Sequence, residues 1–108
     1  IGTLVFDEID VGISGRAAQA VAEKMALISR KHQVISITHL PQIAAMADSH
    51  YLIEKSADEG KTVTKIVRLS EAESITEIAR LLGGASITDA VMSNALEMKQ
   101  MAEKTKKY

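Results

Sequence analysis

Two short apolar runs set one helix apart constrain this chain most. Residues 3–6 (TLVF) and 34–38 (VISIT) are nearly unbroken apolar and β-branched stretches, the pattern of strands buried on both faces in a parallel sheet. Between them, from residue 16 to about residue 30, Ala18, Val21, Ala22, Met25 and Ile28 recur at helical spacing, with Arg16, Gln19, Glu23 and Lys24 largely between them. Strand, helix and strand within about 38 residues make a βαβ unit with a right-handed crossover. Strands joined in this way bring their carboxyl ends to one rim.

Pro41 suits a first helical turn, which predicts a short helix over 41–47 ending near Asp48. Residues 50–55 and 62–69 are extended runs flanking the polar segment 56–61, where Gly60 can take positive φ, and they read as a β-hairpin. Ser74-Ile-Thr-Glu77 has the form of a capping box, followed by an apolar face of Ile75, Ile78, Ala79 and Leu82 and a stop at Gly83-Gly84. A second helix is predicted from Ser86 or Thr88, carrying Val91, Ala95, Met98 and Ala102 towards a lysine-rich end. No internal repeat and no low-complexity linker interrupts this order.

Composition narrows the classes. With 108 residues, 46% of them hydrophobic, the chain suits one small domain or part of a larger one. Thirteen basic against fourteen acidic side chains give a net charge of -1, so no global basic field draws in nucleic acid, and a DNA contact needs a local patch or further parts of the protein. Absence of cysteine removes disulfide and thiolate chemistry and agrees with a reducing cytoplasm. No apolar run nears the roughly 20 residues that span a bilayer, and no signal peptide is visible, so the expectation is a cytoplasmic protein without a membrane segment. The chain opens at Ile1 without Met and enters a strand almost at once, which reads as a piece of a longer protein.

Asp7 and Glu8 close the first apolar run, and His39 closes the second, on the rim where open α/β sheets bind ligands. Polar residues commonly end strands, and for the acid pair alone that plain reading stands. The combination says more: an apolar run into Asp-Glu, a helix, a second apolar run and Thr-His is the order of ATP-binding-cassette-type ATPases. Such a site needs a carboxylate to hold a magnesium shell, usually through water because Mg²⁺ dehydrates reluctantly, and Asp7 on a strand is placed for it. It needs a second carboxylate to orient the water attacking the γ-phosphate, which Glu8 can supply, and a group such as His39 that bonds the γ-phosphate.

Three blocks carry a narrower likeness. FDEIDVGISGRAA (6–18), ISITHLPQIAAMAD (35–48) and EIARLLGG (77–84) resemble the C-terminal part of the RecN family of bacterial DNA repair proteins, relatives of the structural-maintenance-of-chromosomes (SMC) ATPases. The likeness covers nearly the whole chain. It implies an α/β fold, the C-terminal lobe of a P-loop NTPase head of the ABC/SMC type, with a mostly parallel sheet, flanking helices and a β-hairpin. It implies Asp7 as the Walker B aspartate that holds Mg²⁺ through water, Glu8 as the catalytic glutamate and His39 as the switch histidine. The loop from Ile9 to Gly15 takes the place of the D-loop, with Gly12, Ser14 and Gly15 at the nucleotide site. Ser14 stands where the wider superfamily has an aspartate, which leaves coupling between paired sites open.

No G-x-x-x-x-G-K-[ST] occurs, and no Ser- and Gly-rich signature segment precedes the first strand. Residues 1–108 therefore read as a partial ATPase head holding Walker B, D-loop and switch-histidine segments, expected to bind ATP weakly or not at all by itself. In the intact protein the resemblance implies ATP and Mg²⁺ as cofactors. Its implied partners are the N-terminal lobe of the same protein, the second head of a homodimer and DNA, at double-strand breaks in the bacterial nucleoid.

Two other classes compete: a non-catalytic α/β interaction module, and a Toprim-type metal-dependent phosphotransfer domain. The second wants Asp-x-Asp, and Asp7-Glu-Ile-Asp10 has the wrong spacing. Lys99, Lys104, Lys106 and Lys107 read as a solvated helix face rather than a DNA contact, and Met92, Met98 and Met101 as core filling. His32 and His50 lack Cys or His partners at metal-ligand spacing, so no zinc is assigned, and Ser14, Ser36 and the histidines form no recognisable triad.

Overall fold

The first and second apolar runs pair in parallel as β1 (Thr3–Asp7) and β2 (Gln33–Ile37), in a computed structural model that describes residues 2–7, 15–84 and 86–106. Between them runs α1 (Gly15–Ile28), which buries Ala18, Ala22, Met25 and Ala26, a single stripe at helical spacing. The two strands form a sheet of their own, so the expected mostly parallel sheet is here one parallel pair. Nor are the strands buried on both faces: exposure alternates along each, with Leu4, Phe6, Val34 and Ser36 half-buried and Val5, Ile35 and Ile37 exposed by 62%, 45% and 39%. Helices cover one face only.

After β2 the chain turns into α2 (Pro41–Ala45), where Pro41 fills an N-terminal position that has no intrahelical bond to lose. Met46 caps it, so the helix ends at Ala45, ahead of the expected end at Ala47. The hairpin pairs β3 (Tyr51–Asp58) with β4 (Lys61–Arg68) around a two-residue turn. Glu59 and Gly60 have φ of 50° and 78°, the doubly positive geometry of a turn whose twist matches its strands. The polar segment 56–58 therefore belongs to the ladder rather than to a loop, since ladder bonds are made by backbone whatever the side chain. The hairpin is a sheet apart from β1 and β2 and is exposed almost throughout.

α3 (Glu71–Gly83) begins one turn earlier than its predicted cap. Ser70 accepts from the Glu73 amide at 3.2 Å, and the Glu73 carboxylate accepts from the Ser70 amide at 2.9 Å, so the capping box is Ser70…Glu73. Ser74 and Glu77 lie inside the helix and are buried. Gly84, with φ 66°, ends it, and Thr88 Oγ1 accepts from the Val91 amide at 3.2 Å at the start of α4 (Asp89–Lys106).

The core lies among the four helices. Ile78 and Ala79 of α3 and Ala95 of α4 are fully buried, joined by Ala22, Met25 and Ala26 of α1 and by Ile43, Ala44 and Ala45 of α2. Small residues dominate, so the helix backbones approach closely around Ile78. Met92 and Met98 pack against this cluster as expected, but Met101 is exposed.

Ser70→Ala is expected to cost about 1 kcal/mol by removing half of the capping box, read as a lower urea midpoint with an unchanged slope. The bare sheet face is expected to drive self-association: light scattering should show mass rising with concentration, and Val5→Thr with Ile35→Thr should reduce that rise while leaving the circular dichroism spectrum unchanged.

Candidate functional site

The parallel register fixes the rim. Asp7 lies level with Ile37 across the β1–β2 ladder, so His39, two residues beyond Ile37, leaves the same carboxyl edge. Both are exposed. The turn carrying His39 is held on either side: the Leu40 amide donates to Thr38 Oγ1 at 3.0 Å, and Leu40 is extended at φ -93°, ψ 126°, as the residue before a proline must be. α1 starts at the same end of the sheet with Gly15. A Cβ placed on Gly15 would lie 3.2 Å from Gln42 Nε2, so the first turns of α1 and α2 meet there.

Of the residues singled out from the sequence, the fold thus brings Asp7, Gly15 and His39 to one end of the βαβ unit. Glu8, Gly12 and Ser14 lie outside the described residues. Gln42 was not singled out: its Oε1 is buried without a hydrogen-bond partner among the described residues, as is Ser36 Oγ. Nothing in the apolar pattern of 41–47 marks Gln42, because its significance comes from the neighbouring helix.

Among the described residues no group of three His, Cys, Asp or Glu side chains could hold a metal ion alone. A lone rim carboxylate fits magnesium chemistry nonetheless, since Mg²⁺ keeps several waters and takes one or two carboxylates beside substrate phosphates. Among the described residues no helix is long and apolar enough to cross a membrane.

No protein-family model matches the sequence. The fold matches a chain from a structural study of ATP-driven dimerization and DNA-stimulated activation of SMC ATPases, with a TM-score of 0.62 and 26% identity over 80% of this chain and 51% of that one. The architecture is therefore the α/β class of an SMC ATPase head, built here with short sheets. DNA repair protein RecN of Bacillus subtilis is 44% identical over 106 residues, 98% of this chain and 18% of the relative, and RecN of Haemophilus influenzae is 46% identical over 98 residues, 91% and 18% respectively. The chain belongs to the RecN family of DNA repair proteins and fits their C-terminal part. It spans less than a fifth of the length of these relatives, 18% in both.

A second polar cluster joins residues that the sequence reading placed in other roles: His50 without metal partners, Ser74 and Glu77 as a capping box, and Lys99 on a solvated face. His50 Nδ1 and Ser74 Oγ share a hydrogen bond of 2.7 Å, whose direction follows the ring tautomer. Burial, then the charge of Lys99, holds the His50 imidazole below its ordinary pKa of 6.5, with Glu77 opposing. Glu77 itself grips Arg80, whose Nε donates to its two carboxylate oxygens at 2.9 and 3.0 Å, with a further bond from Arg80 Nη2 to Oε1. That hydrogen bonding, with the Glu77 charge, raises the guanidinium pKa above its ordinary value against a smaller effect of burial. Lys99, expected on a solvated face, is only 5% exposed, and Lys106 bonds the Ala47 carbonyl at 3.4 Å and Asp48 at 3.1 Å.

A depressed histidine pKa favours the neutral ring in the folded chain, so its stabilisation is present above pH 6.5 and is lost as pH falls through the lowered value. Urea midpoints are expected to decline below pH 6.5 with a component that His50→Gln removes, and the His50 ring should titrate below 6.5 by NMR.

Proposed function

We propose that this chain is the C-terminal lobe of an ATPase head in a DNA repair protein, supplying Asp7, Glu8 and His39 to an ATP site completed by other parts of the protein. One observation carries the reading: the parallel register that puts Asp7 level with Ile37 and leads His39 off the same rim. In this assignment the Asp7 carboxylate, fixed by its strand, accepts from the water shell of a magnesium ion, which would neutralise phosphate charge when bound. Glu8 orients the attacking water and accepts its proton, and His39, on a turn stiffened by Thr38 and Pro41, donates to the γ-phosphate oxygen where charge develops. In the same reading Gly12, Ser14 and Gly15 contribute to nucleotide binding, Gly15 as the first residue of α1.

The rest of the head has a place to sit. Val5, Ile35 and Ile37 form an uncovered apolar face on the strands that carry the site, which suits a second lobe packing there. This supports the N-terminal lobe of the same protein as the first partner. The likeness to an SMC ATPase supports ATP-driven pairing with a second head. The name of the relatives supports DNA repair as the setting, and double-strand-break repair and recombination in the bacterial cytoplasm and nucleoid are the finer assignment we propose.

Two measurements test the reading. Calorimetric titration of this chain with Mg-ATP is expected to give negligible heat, because no phosphate-cradling loop is present in its sequence; tight binding would overturn the division of the site. In the longer protein, Glu8→Gln should slow hydrolysis by about two orders of magnitude or more while sparing nucleotide binding, since it removes the base and keeps the shape. Normal turnover would reject Glu8 as the group that orients the water, whereas no hydrolysis in the unaltered longer protein would favour a non-catalytic interaction module.

A further inference from the structure

Gln42 lies three residues beyond His39, in the first turn of α2, and its side chain reaches the first residue of α1. Its Nε2 is 3.2 Å from where a Cβ on Gly15 would be, inside ordinary van der Waals contact, so an alanine at that position would force the carboxamide to give way. Gly15 belongs to α1, where alanine is the better helix former. The approach of Gln42, and not the helical backbone, is what calls for glycine there.

The oxygen of the same carboxamide is unmatched. Oε1 is buried with no hydrogen-bond partner among the described residues. Burying an acceptor unpaired costs more than burying an apolar group of the same shape, and the neighbours of Gln42 in α2, Pro41, Ile43, Ala44 and Ala45, are all buried. Methionine has the length to fill this place without that cost. A polar group held against stability beside a candidate site points to a task other than packing.

The turn between β2 and α2 links Gln42 to the rim. The Leu40 amide donates to Thr38 Oγ1 at 3.0 Å and Pro41 fixes the entry into α2, so the backbone on both sides of His39 is stiff. Whatever sets the first turn of α2 against α1 therefore also sets His39. We infer that Gln42 is a positioning residue for ATP hydrolysis. Its side chain, seated on Gly15, fixes the His39 turn against the start of α1, and its unpaired oxygen accepts an N–H or O–H brought by the lobe that completes the site. The inference rests on the ATP-site reading above and adds to it a residue that acts through His39 rather than on the phosphates.

The test joins the stability of this chain to turnover in the longer protein. In this chain Gln42→Met should melt no lower than the parent, because an unpaired buried acceptor is gone. Gly15→Ala should raise the melting temperature more in a Gln42→Ala background than beside Gln42, the signature of a contact between the two positions. In the longer protein Gln42→Met should lower kcat about tenfold or more and leave KM for ATP within about twofold, the pattern of an interaction made only in the transition state. A purely structural role predicts the opposite pairing, with melting lowered and turnover lost only as far as the fold is lost. A lower melting temperature for Gln42→Met, equal gains from Gly15→Ala in both backgrounds, or unchanged turnover would each overturn the inference. Glu8→Gln in the same longer protein reports on the site itself. Normal turnover in Glu8→Gln removes the ATP-site reading and this inference together, whereas slow turnover there beside normal turnover in Gln42→Met removes this inference alone.

Discussion

Close packing of small side chains around Ile78 supports everything else in this structure. Ala22 and Ala26, Ala44 and Ala45, Ala79 and Ala95 let four helices approach until Ile78 and Ala79 are wholly enclosed. Removing Ile78 would leave a void that the alanines cannot fill, having no rotamers with which to adjust. Neither sheet has comparable support: β1 and β2 are covered on one face, and the hairpin is exposed along nearly its whole length. The helices therefore act as the scaffold, and the strands are attached to it. This division suits a lobe whose sheet is extended and covered by other parts of a longer protein.

The same scaffold places the polar groups. Ser74, Glu77 and Lys99 are buried because they face the seam between α3 and α4, and each meets a different solution there. Ser74 bonds His50, Glu77 bonds Arg80, and Lys99 lies close enough for its charge to help lower the His50 pKa. At the strand rim the register alone brings Asp7 and His39 to a common edge, without any contact between them being required. Geometry at the rim is thus inherited from backbone pairing, whereas geometry around Ser74 and Glu77 is inherited from helix packing.

Much of this was readable from the residues. The βαβ unit, the helix after Pro41, the hairpin and the paired terminal helices all follow from apolar period and from turn chemistry, and the blocks at 6–18, 35–48 and 77–84 led to the right family. What escaped had physical causes. Ser70-x-x-Glu73 and Ser74-x-x-Glu77 are both capping-box patterns four residues apart, and only the chain path out of β4 selects the first. Val5, Ile35 and Ile37 look like core because period alone does not reveal that a covering layer is lacking. Lys99 looks like surface for the mirror reason: a lysine among glutamates and glutamines gives no hint that its position faces α3. Gln42 became visible only when α1 and α2 were seen to meet at Gly15.

The base of the hairpin has a mechanical corollary. The Leu69 amide donates to the His50 carbonyl at 2.9 Å, closing the ribbon immediately before Ser70 caps α3. An antiparallel ribbon of two eight-residue strands and a helix thus share a short joint, Leu69 and Ser70. A sideways pull on the ribbon tip would be levered onto that joint and felt first at Arg68, His50 and the opening turn of α3. The ribbon is a handle on this corner of the molecule, and a load on it reaches the hydrogen bond between His50 and Ser74 before it reaches the interior.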